Sequence, residues 1–399
     1  MAKRVDALVK KELLVWARTS AGYQTVEEGA SAAKVAPEKL AKWENGEGHP
    51  SVPQLRKLAD AYKRPLAVFY LAEVPENFMP LRDLRRLPGV EMRRMSPNLQ
   101  LEIRRAYQRR ALALELMADL GDRPSAFKLS ATTREDPEIV GGRVRSALEI
   151  TLNSQRSWNG ARESWRGWRE RIESLGVLIF QATRIETEEA SGFAIADEEL
   201  PVLVVNRADP VTRRTFTLLH EFAHLLTRVS SVSDISDRFL EDRRPPEEQA
   251  IEVFCNAVAA AALMPRADFL AHPLMARYPG VSIHWADEHI QELATLFGVS
   301  REAVVRRLVT LGRTTNDFYV AKRAQYIEEY RQARERQLQQ SKDMKRNMPR
   351  ETVSNLGVPL VSMILSNYHN ERLSISEVSG YLGIKTKHIS KVEQLAKVS

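Results

Sequence analysis

Residues 213–226, RRTFTLLHEFAHLL, constrain this chain more than any other stretch. His220 and His224 are four apart, so on a helix they lie one turn apart on the same face and both imidazoles can reach one ion. Glu221 follows the first histidine and points beside that position, where it can take a proton from an attacking water. Leu218, Leu219, Phe222, Ala223, Leu225 and Leu226 make the helix apolar over most of its circumference. The pattern therefore predicts a core helix carrying three polar side chains, which need partners because a buried polar group without one is costly. A hydrogen-bonded pair of core histidines is the plain alternative; the spacing is that of a zinc hydrolase.

A third ligand is sought downstream. Residues 247–265, EEQAIEVFCNAVAAAALMP, read as a second apolar helix in which Glu252 and Asn256 share a face. A carboxylate from this helix completes a His, His, Glu set with one position left open, the pattern of a catalytic rather than a structural zinc. Glu247 and Glu248 compete with Glu252 for that role. Zinc follows from the ligand types, although manganese or iron also accepts such a set. Cys255 is the single cysteine, which excludes an internal disulfide and suits a reducing compartment. On this helix it reads as a small buried apolar residue rather than a thiol sensor.

A chain of 399 residues has room for two or three domains. No apolar run reaches the eighteen or so residues of a membrane span, and the charged N-terminal stretch has no signal-peptide pattern, so the expectation is a cytoplasmic protein without membrane contact. The net charge of +7 is uneven. Residues 1–80 are near balance, whereas 82–110 and 301–350 are rich in Lys and Arg; those segments either track phosphates or are solvated helix faces.

Along the chain, residues 8–72 show short helical patterns broken by turn signals, with a tight turn at 34–36. A long basic helix is expected from Pro97 to Leu120, with Ile103, Tyr107, Ala111, Leu114 and Met117 as its apolar stripe. In a later helix Trp165, Trp168, Ile172 and Leu175 recur at helical spacing, which reads as core. Three β-branched runs, 177–183, GFAIADE and 200–209, then predict a small sheet feeding into the His220 helix. An exposed edge of that sheet could take an extended peptide by strand addition. Residues 227–248 read as a loop over the site, a lid or an inert excursion. The segments 286–312 and 373–396 repeat a helix, glycine turn, helix outline, and 317–347 reads as an exposed charged helix.

Two resemblances follow from these motifs. The stretch EKLAKWENGEGHPSVPQLRKLADAYKRPLAVFYL resembles the lambda-repressor-like (XRE-type) helix-turn-helix family. By that resemblance the recognition helix is Pro37 to Asn45, and Glu38, Lys39 and Lys42 are its outward side chains, available to DNA or to a protein partner. As a set they are poor base readers, and the family's glutamine early in the preceding helix is replaced by Val26 and Glu27. The segments SGFAIADEELPVLVVNRADPVTRRTFTLLHEFAHLL and EVFCNAVAAAALMP resemble the ImmA/IrrE metallopeptidase family over about residues 160–311.

That second resemblance implies a gluzincin-type zinc peptidase holding one Zn2+ per chain, whose substrates are transcriptional repressors, often XRE-type, in stress or mobile-element responses. It carries over His220, His224 and Glu252 as ligands, Glu221 as general base, and Asn256 as a matching residue that could hold an imidazole N–H. Tyr278, His284 and His289 are the candidates for stabilising a developing oxyanion. The expected fold is α+β, mostly α: an XRE-type bundle in 1–80, a helical connector in 81–157, the peptidase domain with a three-stranded or larger sheet in 158–312, and a helical extension in 313–399 with a helix-turn-helix-like end. The rival reading is a DNA-binding regulator, acting through residues 1–80, whose peptidase domain senses or binds a partner without turnover.

Overall fold

The computed structural model describes residues 5–75, 95–233, 246–340 and 346–397. Their contacts divide them into two compact units, one formed by residues 5–75 with 95–108 and the other by the described residues from 109 onward. The fold is mostly helical with one small mixed sheet, the expected α+β class.

The first unit holds α1 (Lys11–Thr19), α2 (Val26–Ala33), α3 (Pro37–Asn45) and α4 (Val52–Tyr62), then a short 3-10 turn at Leu66–Tyr70 and the first half of α5 (Pro97–Leu120). Thr25 and Glu28 form a reciprocal capping box at α2, and Ser51 and Gln54 form one at α4; each satisfies backbone donors that a helix start leaves open. Leu14, Leu40, Trp43, Leu55, Leu58, Tyr62 and Phe69 make the core. A glycine inside a helix weakens it by about 1 kcal/mol, and the packing around Gly29 in α2 supplies the reason for one there. A Cβ there would lie 2.5 Å from Arg18 Cδ and 2.8 Å from the Tyr62 hydroxyl. Arg18 crosses at this point to reach Glu44, Nε to Oε1 at 2.8 Å, both side chains buried.

The second unit continues with α6 (Pro137–Ala147), α7 (Leu152–Ser157), α8 (Ala161–Glu173), β1 (Leu178–Ala182), β2 (Gly192–Ile195), β3 (Val202–Asn206), α9 (Val211–Leu226), β4 (Ser231–Ser233), α10 (Pro246–Leu263), α11 (Arg266–Leu270), α12 (Leu274–Arg277), α13 (Asp287–Phe297), α14 (Arg301–Thr310), α15 (Asn316–Gln340), α16 (Met348–Leu356), α17 (Val358–His369), α18 (Ile375–Leu382) and α19 (Ile389–Lys397). The strand order is β1-β3-β2-β4, with β1 parallel to β3 and the other pairs antiparallel. β1, β2 and β3 are buried along their whole lengths, which explains their continuous apolar runs. α9 packs on β2 and β3 and against α8 and α10, while α10 also packs on α6. Trp165, Trp168 and Ile172 lie in this core, as expected.

Four details differ from the sequence reading. In α5, Ala111 is exposed and the buried apolar positions are Leu99, Leu101, Ile103, Ala106, Ala113 and Leu116, because the helix serves one unit with its first half and the other with its second. The polar stretch after α9 begins with a fourth strand; its continuation over 234–245 lies outside the described residues. α15 is not solvated throughout, since Tyr319 and Tyr326 are buried and the helix packs on α14. Finally, the β1 edge of the sheet is closed to an added strand. Arg169 donates to Ile179 O at 2.6 Å and to Ser354 O at 2.7 Å, and Gln181 Nε2 donates to Ser354 O at 2.6 Å, so α16 is fastened there.

Candidate metal centre

The site is built by three elements. α9 stands so close to β2 that a Cβ on Gly192 would lie 2.7 Å from Val204 O, 2.8 Å from Thr217 Cγ2 and 3.1 Å from Glu221 Oε1. A residue without a side chain is needed for that approach. The two arginines before the motif fix the start of the helix: Arg213 donates to Ser191 Oγ at 3.1 Å and Arg214 to Gln181 Oε1 at 2.6 Å. From Thr215 to Leu226 every residue of α9 is buried. Opposite, Glu252 projects from α10, whose path along α6 depends on small residues; a Cβ on Gly141 would sit 2.7 Å from Ala261 Cβ.

His220, His224 and Glu252 converge, each buried, with their ligand atoms within 4.8 Å of one another. The two Nε2 atoms are 3.1 Å apart, His220 Nε2 is 3.3 Å from Glu252 Oε2, and His224 Nε2 is 3.5 Å from Glu252 Oε1. Ligand atoms held at about 2.0–2.1 Å in a tetrahedron lie roughly 3.3 Å from one another, so these separations suit a zinc ion without rearrangement. Asn256 Oδ1 lies 3.1 Å from His220 Nδ1. Oriented this way, the amide oxygen accepts from Nδ1–H and leaves the Nε2 lone pair for a metal, the usual support for a ligating imidazole.

The electrostatics agree with the donor set. Burial alone would push the Glu252 carboxyl up, but hydrogen bonds from His220 and His224 outweigh it and hold the group well below the usual carboxylate range. Burial likewise opposes a charged His220, and the carboxylates of Glu252 and Glu221 override it. The pocket therefore stabilises positive charge among these side chains, a demand that a divalent ion meets. Glu221, fully buried, sits beside the histidines over Gly192. Burial, reinforced by Glu252 and Glu221, pushes the Cys255 thiol well up, so it stays protonated as a small core residue.

Other candidates go elsewhere. The Tyr278 hydroxyl pairs with His289 Nδ1 at 2.6 Å and accepts from Ala286 N, and its ring stacks on Trp285; none of these bonds goes to the candidate metal ligands. His284 is exposed. Glu38, Lys39 and Lys42 are exposed on α3, in the first unit. Asp209 escaped the sequence reading. It is buried at the turn into α9, its carboxyl pushed up to about 6 by burial and eased by Arg213 and Ser191.

Site and fold define a protein that pairs a metallopeptidase-type domain with a helix-turn-helix domain. Comparison with known proteins gives the families: residues 172–309 match the peptidase family described as the IrrE N-terminal-like domain, and residues 16–69 match the family described as Helix-turn-helix. The chain thus carries an ImmA/IrrE-type metallopeptidase domain together with an XRE-type helix-turn-helix domain. Among curated relatives, the Radiation response metalloprotease IrrE of Deinococcus radiodurans is 44% identical over 71 residues, covering 17% of this chain and 21% of that protein. The protein of the same name from Deinococcus deserti is 42% identical over 71 residues, covering 17% and 24%. The chain therefore spans about a quarter or less of the length of these relatives. Among the described residues no helix is long and apolar enough to cross a membrane.

Proposed function

We propose that this protein is a zinc-dependent regulatory metalloendopeptidase of the gluzincin type that cleaves a transcriptional repressor, of the XRE class, in a stress or mobile-element response. The observation that carries the reading is the buried convergence of His220, His224 and Glu252 with Glu221 alongside. When bound there, zinc supplies a Lewis acid that acidifies water and polarises a peptide carbonyl. The chain's residues do the rest. Glu221 takes the proton from the attacking water and delivers it to the leaving amine. Asn256 holds His220 in the ligating tautomer. With β1 covered by α16, an extended substrate adds to the sheet at β4, which pairs with Gly192 through Ser233 and so borders Glu221. A repressor substrate is supported by the company of an XRE-type domain in the same chain and by the regulatory name of the relatives, a radiation response metalloprotease. A single buried cysteine suits action in the cytoplasm.

The test compares proteomes of cells expressing the parent and Glu221→Gln. A repressor that disappears only with the parent is the expected result; equal loss with both, or with neither under inducing conditions, contradicts turnover. The second of those outcomes, combined with an unchanged regulatory phenotype in the variant, favours the rival reading. There the peptidase domain senses or binds a partner and regulation runs through the helix-turn-helix domain.

A further inference from the structure

Among the described residues, three helix-to-helix junctions share one turn. At α2–α3, α13–α14 and α18–α19 the residue after the first helix takes a left-handed conformation, Lys34 at φ 55°, Gly298 at φ 67° and Gly383 at φ 64°. An aliphatic residue follows, Val35, Val299 or Ile384, whose N–H bonds back to Ala30 O at 3.0 Å, Ala294 O at 3.0 Å or Ser379 O at 3.2 Å. Such a turn closes a helix and redirects the chain. In the first case it is the turn of the helix-turn-helix domain.

What separates the three is the outer face of the second helix. α14 is covered by α15: Arg301 and Glu302 pair with Glu329 and Arg323, and Arg307 is buried on Met264 O and Glu138. α3 is open but mixed in charge, because Glu38 stands with Lys39 and Lys42, and Glu27, Glu28 and Glu47 are exposed close by in sequence. α19 is different. Lys385, Thr386, Lys387, Ser390, Lys391 and Gln394 are exposed, and residues 383–392 contain no acid. Glu393 is bonded to His369 at 2.9 Å. Among the described residues Lys385, Lys387 and Lys391 have no ion-pair partner. The opposite face, Ile389, Val392 and Ala396, is buried, and the helix packs on α16 and α17.

We infer that residues 358–397 form a second helix-turn-helix module, with α17 and α18 in support, and that α19 presents this face to the major groove of duplex DNA. Ser390, Lys391 and Gln394 share the exposed face of α19 at spacings of three and four, and Lys387 leads into it from a 3-10 turn at Thr386–His388. Lysines at its start suit phosphates, while Ser390 and Gln394 offer hydrogen bonds to base edges. The stripe has no apolar or aromatic anchor of the kind a protein interface centres on. The module belongs to no residue range matched by the two families.

The experiment is a fluorescence-anisotropy titration of the full chain with a labelled random-sequence duplex pool over a range of salt. The parent binds with a steep salt dependence. The triple variant Lys385→Glu, Lys387→Glu, Lys391→Glu binds at least about 30-fold more weakly at low salt and flattens the log–log salt slope by roughly three, whereas Lys39→Glu with Lys42→Glu has a smaller effect. All three lysines lie outside the core, and metal content reports that the peptidase domain is intact. A second variant, Ser390→Ala with Gln394→Ala, keeps the slope and blunts the sequence preference of a selected pool. The inference is overturned if the parent fails to bind at low salt, if the triple variant binds like the parent, if loss is confined to the α3 pair, or if the selected preference is unchanged.

Discussion

Asn256 accepts a hydrogen bond from His220 Nδ1–H and so turns Nε2 toward Glu252 and His224. Asn256→Ala is expected to weaken zinc retention about 10–100-fold, read by competition with a chelator, while the parent and Asn256→Asp remain close. Asp209 makes a pH-dependent prediction. Its carboxyl is raised to about 6 in the folded chain from an ordinary value of 3.8, so the stability it allows is fully present below that ordinary value. It is lost as pH rises toward 6, where the unfolded chain is already ionised and the folded one resists. Asp209→Asn should therefore raise the melting temperature at neutral pH, by something of order 1–3 kcal/mol in stability, and have little effect below pH 4. A variant that destabilises at neutral pH would show that the Arg213 contact at 3.6 Å outweighs burial. The candidate metal ligands were legible from sequence because helix period alone puts His220 and His224 together. Asp209 was not, since its surroundings include Ser191, which only the folded sheet brings beside it.

Among elements, the approach of α9 to β2 decides the site. Gly192→Ala places a methyl group against Val204 O and Thr217, neither of which can withdraw without moving the sheet or the helix. The expectation is a loss of about 1–3 kcal/mol, seen as a lower melting temperature, together with slower cleavage because Glu221, the proposed base, is displaced. A silent substitution would show that the helix rides more loosely on the strand. The strands β1 to β3 were readable in their β-branched runs, and α3 and α5 carry boundaries that Pro and Gly announce. β4 was not readable, because a three-residue strand of Ser, Val and Ser has no periodicity to detect. The stripe of α5 misled for a different reason: one helix with two sets of neighbours has no single apolar face.

Over the whole molecule, the C-terminal helices pack in the same compact unit as the candidate metal site. Arg169 and Gln181 donate to Ser354, and Arg207 to Asn355 Oδ1 at 3.2 Å, so removing residues 346–399 would bare the β1 edge. Bare edges pair with other chains. The shortened protein is expected to melt lower and self-associate in light scattering; a monomer as stable as the parent would contradict the docking of α16. This arrangement left no mark in the sequence, where 313–399 reads as an extension, because the contacts are single hydrogen bonds between distant segments. The central claim remains the metal site, and metal content by elemental analysis of the purified parent, Glu221→Gln and Glu252→Ala tests it most directly. The account predicts one zinc per chain in the first two and a zinc easily stripped or absent in the third. It is contradicted by a parent that holds no zinc when supplied with it, or by Glu252→Ala retaining zinc as the parent does.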